Sequence, residues 1–181
     1  MITSLSLSAT ALTATNAEGD SVRSVPLDGG STDVVALLSD VLGSEPTIHQ
    51  EEAGCGDDRG ITTWHWGDGS GVGVTQWEKP SSNSSWRTAG AIVVSLTAPA
   101  LAGIELTAAT GGRVGDSATG LFDGLPSNRL ADGYGGQIGI TELGGEYAGS
   151  SGTRAWGLAL DDRDGLIGVI RAPSDFGDFF C

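Results

Sequence analysis

Short runs of alternating apolar and polar residues, separated by glycine-rich turns, recur along the whole chain. The 181 residues include 30 glycines and only one methionine, and Ser, Thr, Ala and Val are abundant. Alternation places successive side chains on opposite faces of a strand, and glycine supplies the backbone conformations of tight turns. The pattern therefore favours many short strands in a single domain over a helical bundle.

Several stretches have the spacing of strands and β-hairpins. The alternating segment that starts at Ser4 runs to a turn at residues 16–20, and the chain returns through Val22–Val25. Ile61–Trp66 and Val72–Trp77 flank the turn Gly67–Gly71 and predict a second hairpin. Strands are also expected at Ala91–Thr97, Ile104–Thr107, Gln137–Leu143, Arg154–Leu160 and Leu166–Arg171.

Two segments have a helical pattern. In Ser31–Leu42, one stripe carries Val34, Val35, Leu37, Leu38, Val41 and Leu42. Ser31, Thr32 or Asp33 is expected to cap this helix, and Gly43 to end it. A second, shorter helix is predicted from Gly115-Asp116-Ser117 to Leu125, with an apolar face formed by Leu121, Phe122 and Leu125.

Matching pieces occur in the two halves of the chain. Thr63–Trp66, its turn and Val72–Val74 match Ala155–Leu158, the turn Asp161–Gly165 and Ile167–Val169. The helical segments match in the same order, which predicts a duplicated β-β-α-β-β unit with halves of about 1–88 and 89–181. The expected fold class is α+β, a largely antiparallel sheet covered by two helices in one domain over residues 1–181. Chance similarity among glycine-rich hairpins is the alternative.

The capped helix Asp33–Pro46, occurring twice and followed by an antiparallel sheet, resembles a known family. It is similar to the tandem-repeat extracytoplasmic modules typified by β-lactamase inhibitory protein and the small outer-membrane assembly lipoproteins. The resemblance implies a sheet covered by two helices and a binding role, and it transfers no functional residue. This chain departs from the pattern in that a hairpin precedes the first helix.

The charge of the chain restricts its partners. With 23 acidic and 9 basic residues, the net charge is -14, which repels nucleic acid and anionic lipid surfaces. Such a charge either keeps an exported protein in solution or attracts a basic partner. No stretch has the roughly 20 apolar residues of a membrane span. The chain opens at Met1 with a strand pattern, so an extracytoplasmic location implies a signal or lipid anchor outside this sequence.

The candidate catalytic residues do not form a recognised catalytic motif. His49 and His65 are the only histidines, and no serine lies in a nucleophile elbow. Acidic neighbours would raise the pKa of the Cys55 thiol, the wrong direction for a nucleophile. Residues 161–165 and 67–69 combine carboxylates with glycine, but turn chemistry explains them better than calcium binding does. We therefore expect no enzyme activity, no cofactor and no metal site.

Cys55 and Cys181 are the only cysteines, and we predict a disulfide between them, with two free thiols as the alternative. The bond would attach the C-terminus to a loop in the first half and would persist only in an oxidising compartment. Intact-mass measurement with and without reductant should show the gain of two hydrogens on reduction. Two thiols that react with an alkylating agent in the native, unreduced protein would contradict the bond.

Aromatic and acidic residues are concentrated around the second hairpin. Trp64, Trp66, Trp77 and Trp86 are four of the five tryptophans, and Glu51, Glu52, Asp57 and Asp58 lie in the polar loop that precedes the hairpin. These tryptophans are either core residues of a small sheet or an exposed aromatic platform beside the acidic loop. The second interpretation makes the eight residues a tentative binding site.

Together these features predict a non-catalytic extracytoplasmic interaction or ligand-binding domain. Its sharper form is an inhibitor or immunity-type protein that acts on a basic partner. The alternative is a structural domain associated with the cell envelope that has no specific ligand.

Overall fold

The computed structural model describes residues 1–52, 60–78, 91–133, 136–149 and 152–175. Within these ranges the chain forms two β-sheets and one α-helix, α1, Ser31–Leu42. The smaller sheet has the order β3-β2-β1-β9-β8. Its strands are β1 Ile2–Leu7, β2 Ala11–Asn16, β3 Ser21–Pro26, β8 Ala100–Leu101 and β9 Ile104–Ala108.

The larger sheet has the order β10-β11-β12-β13-β7-β6-β5-β4. Its strands are β4 Thr47–Glu52, β5 Gly60–Trp66, β6 Val72–Trp77, β7 Ile92–Leu96, β10 Leu130–Asp132, β11 Gln137–Gly149, β12 Gly152–Arg163 and β13 Leu166–Ser174. All of its neighbouring strands are antiparallel, whereas β1 and β9 of the smaller sheet pair in parallel. Both predicted hairpins are confirmed, although the first strand turns at residues 8–10 and forms an additional hairpin, β1–β2.

One hydrophobic core joins both sheets and the helix. Alternate residues of strands such as β2, β6 and β9 point inward, as the sequence pattern predicts. The fully buried side chains include Leu5, Leu7, Leu12 and Leu106 of the smaller sheet, Val72, Val74, Val94, Leu96, Leu158, Leu160 and Ile170 of the larger sheet, and Leu38 of the helix. The two sheets are therefore packed as one unit.

The helix prediction for Ser31–Leu42 is confirmed, and its end is as expected. Gly43 adopts a left-handed conformation with φ 65°, and its N–H donates to the Ser39 carbonyl. The start differs from the prediction, because Gly30 is the capping residue and no side chain caps the helix. The Ser31 hydroxyl instead donates to the Gln76 side-chain carbonyl at 2.6 Å, which ties the helix to β6.

The predicted second helix is wrong. Ser117 forms an isolated bridge with Leu166, and residues 119–124 form turns with hydrogen bonds such as Leu125 N–H to the Phe122 carbonyl. Gly120 and Gly124 have φ of 75° and 79°, so the backbone leaves the right-handed helical region twice within five residues. Phe122 is buried all the same, because turns can also present an apolar side chain to the core every three or four residues.

The α+β fold class with two covering helices is therefore also wrong. Strands hold 56% of the described residues and helices 10%, and the single α-helix among them covers only part of two sheets. The second half lacks the helix of the predicted β-β-α-β-β unit, so that unit does not recur within the described residues. The matched segments β5–β6 and β12–β13 are both antiparallel pairs of the larger sheet, a property that they share with the other pairs of that sheet.

Candidate functional site

The tryptophans of β5 lie on the face of the larger sheet that meets the helix. Trp66 is 2% exposed, and its indole N–H donates to the Ser44 carbonyl at 3.0 Å. Trp64 is partly buried against the core and borders a groove along α1. Their shared face follows from the two-residue period of the strand, and Trp66 belongs to the core.

Trp77 ends β6 opposite Ile61 and is half-buried. By the register of β5 and β6, it lies on the other face of the sheet from Trp64 and Trp66. The hydroxyls of Thr63 and Thr75 lie 3.3 Å apart on that face. The tryptophans of this hairpin are thus divided between two faces and do not form one continuous platform.

The acidic part of the predicted site falls partly on a strand. Glu51 and Glu52 are the last two residues of β4, where the sequence predicted a polar loop. Strand pairing explains the difference, since Glu51 and Glu52 pair with Ile61 and Gly60 and extend the ladder to the first residue of β5. The other predicted residues, namely Asp57, Asp58, Trp86 and the cysteines Cys55 and Cys181, lie outside the described residues.

Strand β4 is the most exposed strand of the larger sheet. Among the described strands it pairs only with β5, so its other backbone edge is open there. Thr47, Ile48, His49 and Gln50 are all exposed, and Ile48 is 58% exposed. The sequence signal for this strand was weak, because exposure on both faces removes the apolar alternation that identifies a strand.

A cleft that sequence analysis did not predict opens at one end of the two sheets. We name it the Trp156 cleft; its volume is about 790 Å³. The β1–β2 turn, the segment between β3 and α1, the end of β6 and the start of β7 form its walls. Its lining includes Thr10, Ser24, Asp28, Gln76, Ile92, Trp156 and Pro173.

Trp156 is placed in this cleft by the backbone of the neighbouring strand. It pairs with Gly145 of β11, and a β-carbon at Gly144 or Gly145 would collide with its ring. The ring therefore rests on two glycines in the middle of a strand, where glycine weakens the strand unless another group needs close approach. This pair of glycines was the only signal in the sequence that pointed to the site.

A polar cluster on β12 and β13 has a structural explanation. Arg163 Nε donates to the buried Asp161 carboxylate at 2.6 Å. Burial lowers the pKa of the Arg171 guanidinium from its ordinary value, although nearby Asp161 acts in the opposite direction. Burial likewise raises the pKa of Tyr147, whose hydroxyl donates to Asp175 at 2.7 Å. These interactions connect neighbouring strands and the end of β13.

Comparison with protein-family models, curated proteins and solved structures finds no match for this chain. Function has to be inferred from the chain's own geometry.

Two further observations concern the described ranges. They contain no helix that is long and apolar enough to cross a membrane. They also contain no group of three or more His, Cys, Asp or Glu residues that could hold a metal ion.

The acidic segment at residues 161–165 contains a hairpin turn. The turn consists of Asp164 and Gly165, which both have positive φ. The Asp162 carboxylate accepts a hydrogen bond from the Gly165 N–H at 2.7 Å. The Asp162 carboxylate therefore stabilises a tight hairpin turn.

Proposed function

We propose that this chain is a non-catalytic extracytoplasmic binding domain that acts on a basic protein, in the manner of an inhibitor or immunity-type protein. The observation that carries the proposal is the exposed edge strand β4. Among the described strands its second edge is unpaired, and its backbone N–H and C=O groups there can pair with an extended segment of another protein. The exposed side chain of Ile48 adds apolar contact area to this surface.

Charge supports a basic partner. The strand ends in Glu51 and Glu52, Glu45 precedes it, and the whole chain carries a net charge of -14. A surface of one sign accelerates encounter with a surface of the opposite sign and rejects partners of like charge. An extended segment with alternating Lys and apolar residues could pair with the backbone of β4 and would carry the charge opposite to that of this chain.

The test uses the peptide Lys-Val-Lys-Val-Lys-Val-Lys with a fluorescent label, titrated with the protein and followed by fluorescence anisotropy. We expect binding that weakens steeply as salt rises, because exposed charges are screened within about 10 Å at 0.1 M. A Glu-Val peptide of the same length should not bind. A Lys-Val peptide with N-methylated amides keeps its charge but cannot pair along a strand, and it should also fail. A structural domain with no ligand would bind none of them at any salt concentration.

Paired charge reversals locate the site. Glu51→Lys with Glu52→Lys should weaken binding by about tenfold or more, because both residues belong to the proposed edge strand. Glu18→Lys with Asp20→Lys changes the net charge equally in the β2–β3 turn and should have a much smaller effect. Equal weakening by the two double variants would mean that only net charge matters, and docking at β4 would be wrong.

A further inference from the structure

We infer that the segment bound by β4 carries an arginine, and that the guanidinium of this arginine occupies the groove along α1. The inference rests on the proposed function, because the groove adjoins the strand to which the segment would add. One wall of the groove is the helix, with Val35, Ala36 and Ser39, and the other is Trp64 of β5. The volume of the groove is about 480 Å³.

The first argument concerns the position of the groove next to β4. Ile48 of β4 pairs directly with Trp64, so the two side chains are neighbours on the helix side of the sheet. A segment added to β4 would lie about 10 Å from β5, which is twice the spacing of neighbouring strands. A side chain of this segment therefore reaches the groove only if it is long enough to pass over the exposed Ile48.

The second argument concerns charge. Glu45 lines the groove, is exposed and lies just before β4 in the chain. Asp40 also lines the groove, but its carboxylate is already paired with Arg23 at 3.1 Å. Glu45 is therefore the carboxylate that an incoming side chain would meet. Opposite charge favours a basic side chain there over an apolar or acidic one.

The third argument selects arginine over lysine. The apolar stem of either side chain can cover Ile48 while the charged group extends beyond it. A planar guanidinium can also stack on an indole and donate two hydrogen bonds to one carboxylate, whereas an ammonium is a compact, strongly hydrated charge. The small side chains of Ala36 and Ser39 on the helix wall leave room for a planar group beside Trp64.

The test compares three labelled peptides of equal charge. The first is the Lys-Val peptide described above, and the second has arginine at each lysine position. The third has 2-amino-3-guanidinopropionic acid there, which is arginine shortened by two methylene groups. Fluorescence anisotropy should show the arginine peptide binding at least about fivefold more tightly than either of the others, because only arginine combines reach with a planar cation. An arginine peptide that binds no more tightly than one of the others would overturn the inference.

Matched variants assign the preference for arginine to the groove. Glu45→Gln should remove most of the advantage of the arginine peptide over the shortened one. Glu18→Gln changes the net charge equally in the β2–β3 turn and should leave that advantage unchanged. An advantage that survives Glu45→Gln in full would overturn the inference, because the guanidinium would then lie elsewhere.

Variants of Trp64 test the aromatic wall. Trp64→Leu should reduce the advantage of the arginine peptide, since it removes the ring on which the guanidinium stacks. Because Trp64 packs against the core, Trp64→Phe is the second variant. It keeps a ring and should retain part of the advantage. An unchanged advantage in both variants would contradict the stacking and overturn the inference.

The outcomes also separate this inference from the proposed function. If the three peptides bind equally and Glu51→Lys with Glu52→Lys weakens all of them, β4 is the docking strand and only the arginine in the groove is wrong. If none of the peptides binds, both the β4 proposal and the arginine in the groove are wrong.

Discussion

Leu38→Ala is expected to lower the free energy of unfolding by about 2–5 kcal/mol, since it leaves a cavity where helix α1 meets the core. Leu38 is completely buried in the core that joins both sheets. Truncation removes its transfer free energy and also its contacts with neighbours that cannot collapse fully into the space. Urea denaturation followed by circular dichroism measures the change.

Asp40→Ala is the matched control on the opposite face of the same helix. The Asp40 side chain is 74% exposed and forms a 3.1 Å ion pair with Arg23, which is itself 41% exposed. Exposed pairs of this kind contribute about 0–1 kcal/mol, so the variant should change stability little. Similar losses in the two variants would show that the apolar stripe is not the buried face.

Gly157→Ala is expected to destabilise the protein by about 3 kcal/mol, because the added methyl group would collide with backbone atoms. A β-carbon at Gly157 would meet the Glu142 carbonyl oxygen and the Gly144 nitrogen, at the irregular part of the β11–β12 ladder. Backbone cannot move aside as a flexible side chain can, so the cost falls on the pairing of the two longest strands. Denaturant unfolding of the variant and the parent protein gives the difference.

Gly73→Ala is the control in a regular strand. Its nearest neighbours would be His65 Cδ2 at 3.8 Å and Ser95 Cβ at 4.0 Å, which are ordinary contacts. Alanine there reduces the freedom of the unfolded chain and should be neutral or stabilising by up to about 1 kcal/mol. If Gly157→Ala proved as harmless as Gly73→Ala, the close approach of β11 and β12 would be wrong.

Local pattern was sufficient for the elements whose one face is buried. The stripe Val34–Leu42 with Gly43 identified α1, and the turn Gly67–Gly71 between two alternating runs identified β5 and β6. In both cases the residues that define the pattern are the ones that pack inward, so period and burial agree. The same agreement correctly placed Trp64 and Trp66 on one face.

The local sequence pattern failed to predict secondary structure where the spacing of apolar residues does not match the element that the segment forms. Leu121, Phe122 and Leu125 have helical spacing, yet the chain presents them from turns with glycine at positive φ. Strand β4 has no apolar alternation, because Thr47–Gln50 are exposed on both faces of the sheet; among the described strands it pairs with β5. The glycines that interrupt the helical pattern lie within the segment itself, whereas β4 forms through its pairing with β5.

The proposed edge and the Trp156 cleft depend on contacts between distant parts of the chain. The edge of β4 exists because the order of eight strands ends there, and the Trp156 cleft brings together residues as far apart as Thr10, Gln76 and Trp156. Composition determined the negative net charge, on which the proposal of a basic partner rests. Long-range packing decides which strand lies at the edge of the sheet and which tryptophan borders a cleft. The order of the strands and the packing of one sheet against the other are set by contacts between residues that are far apart in the sequence.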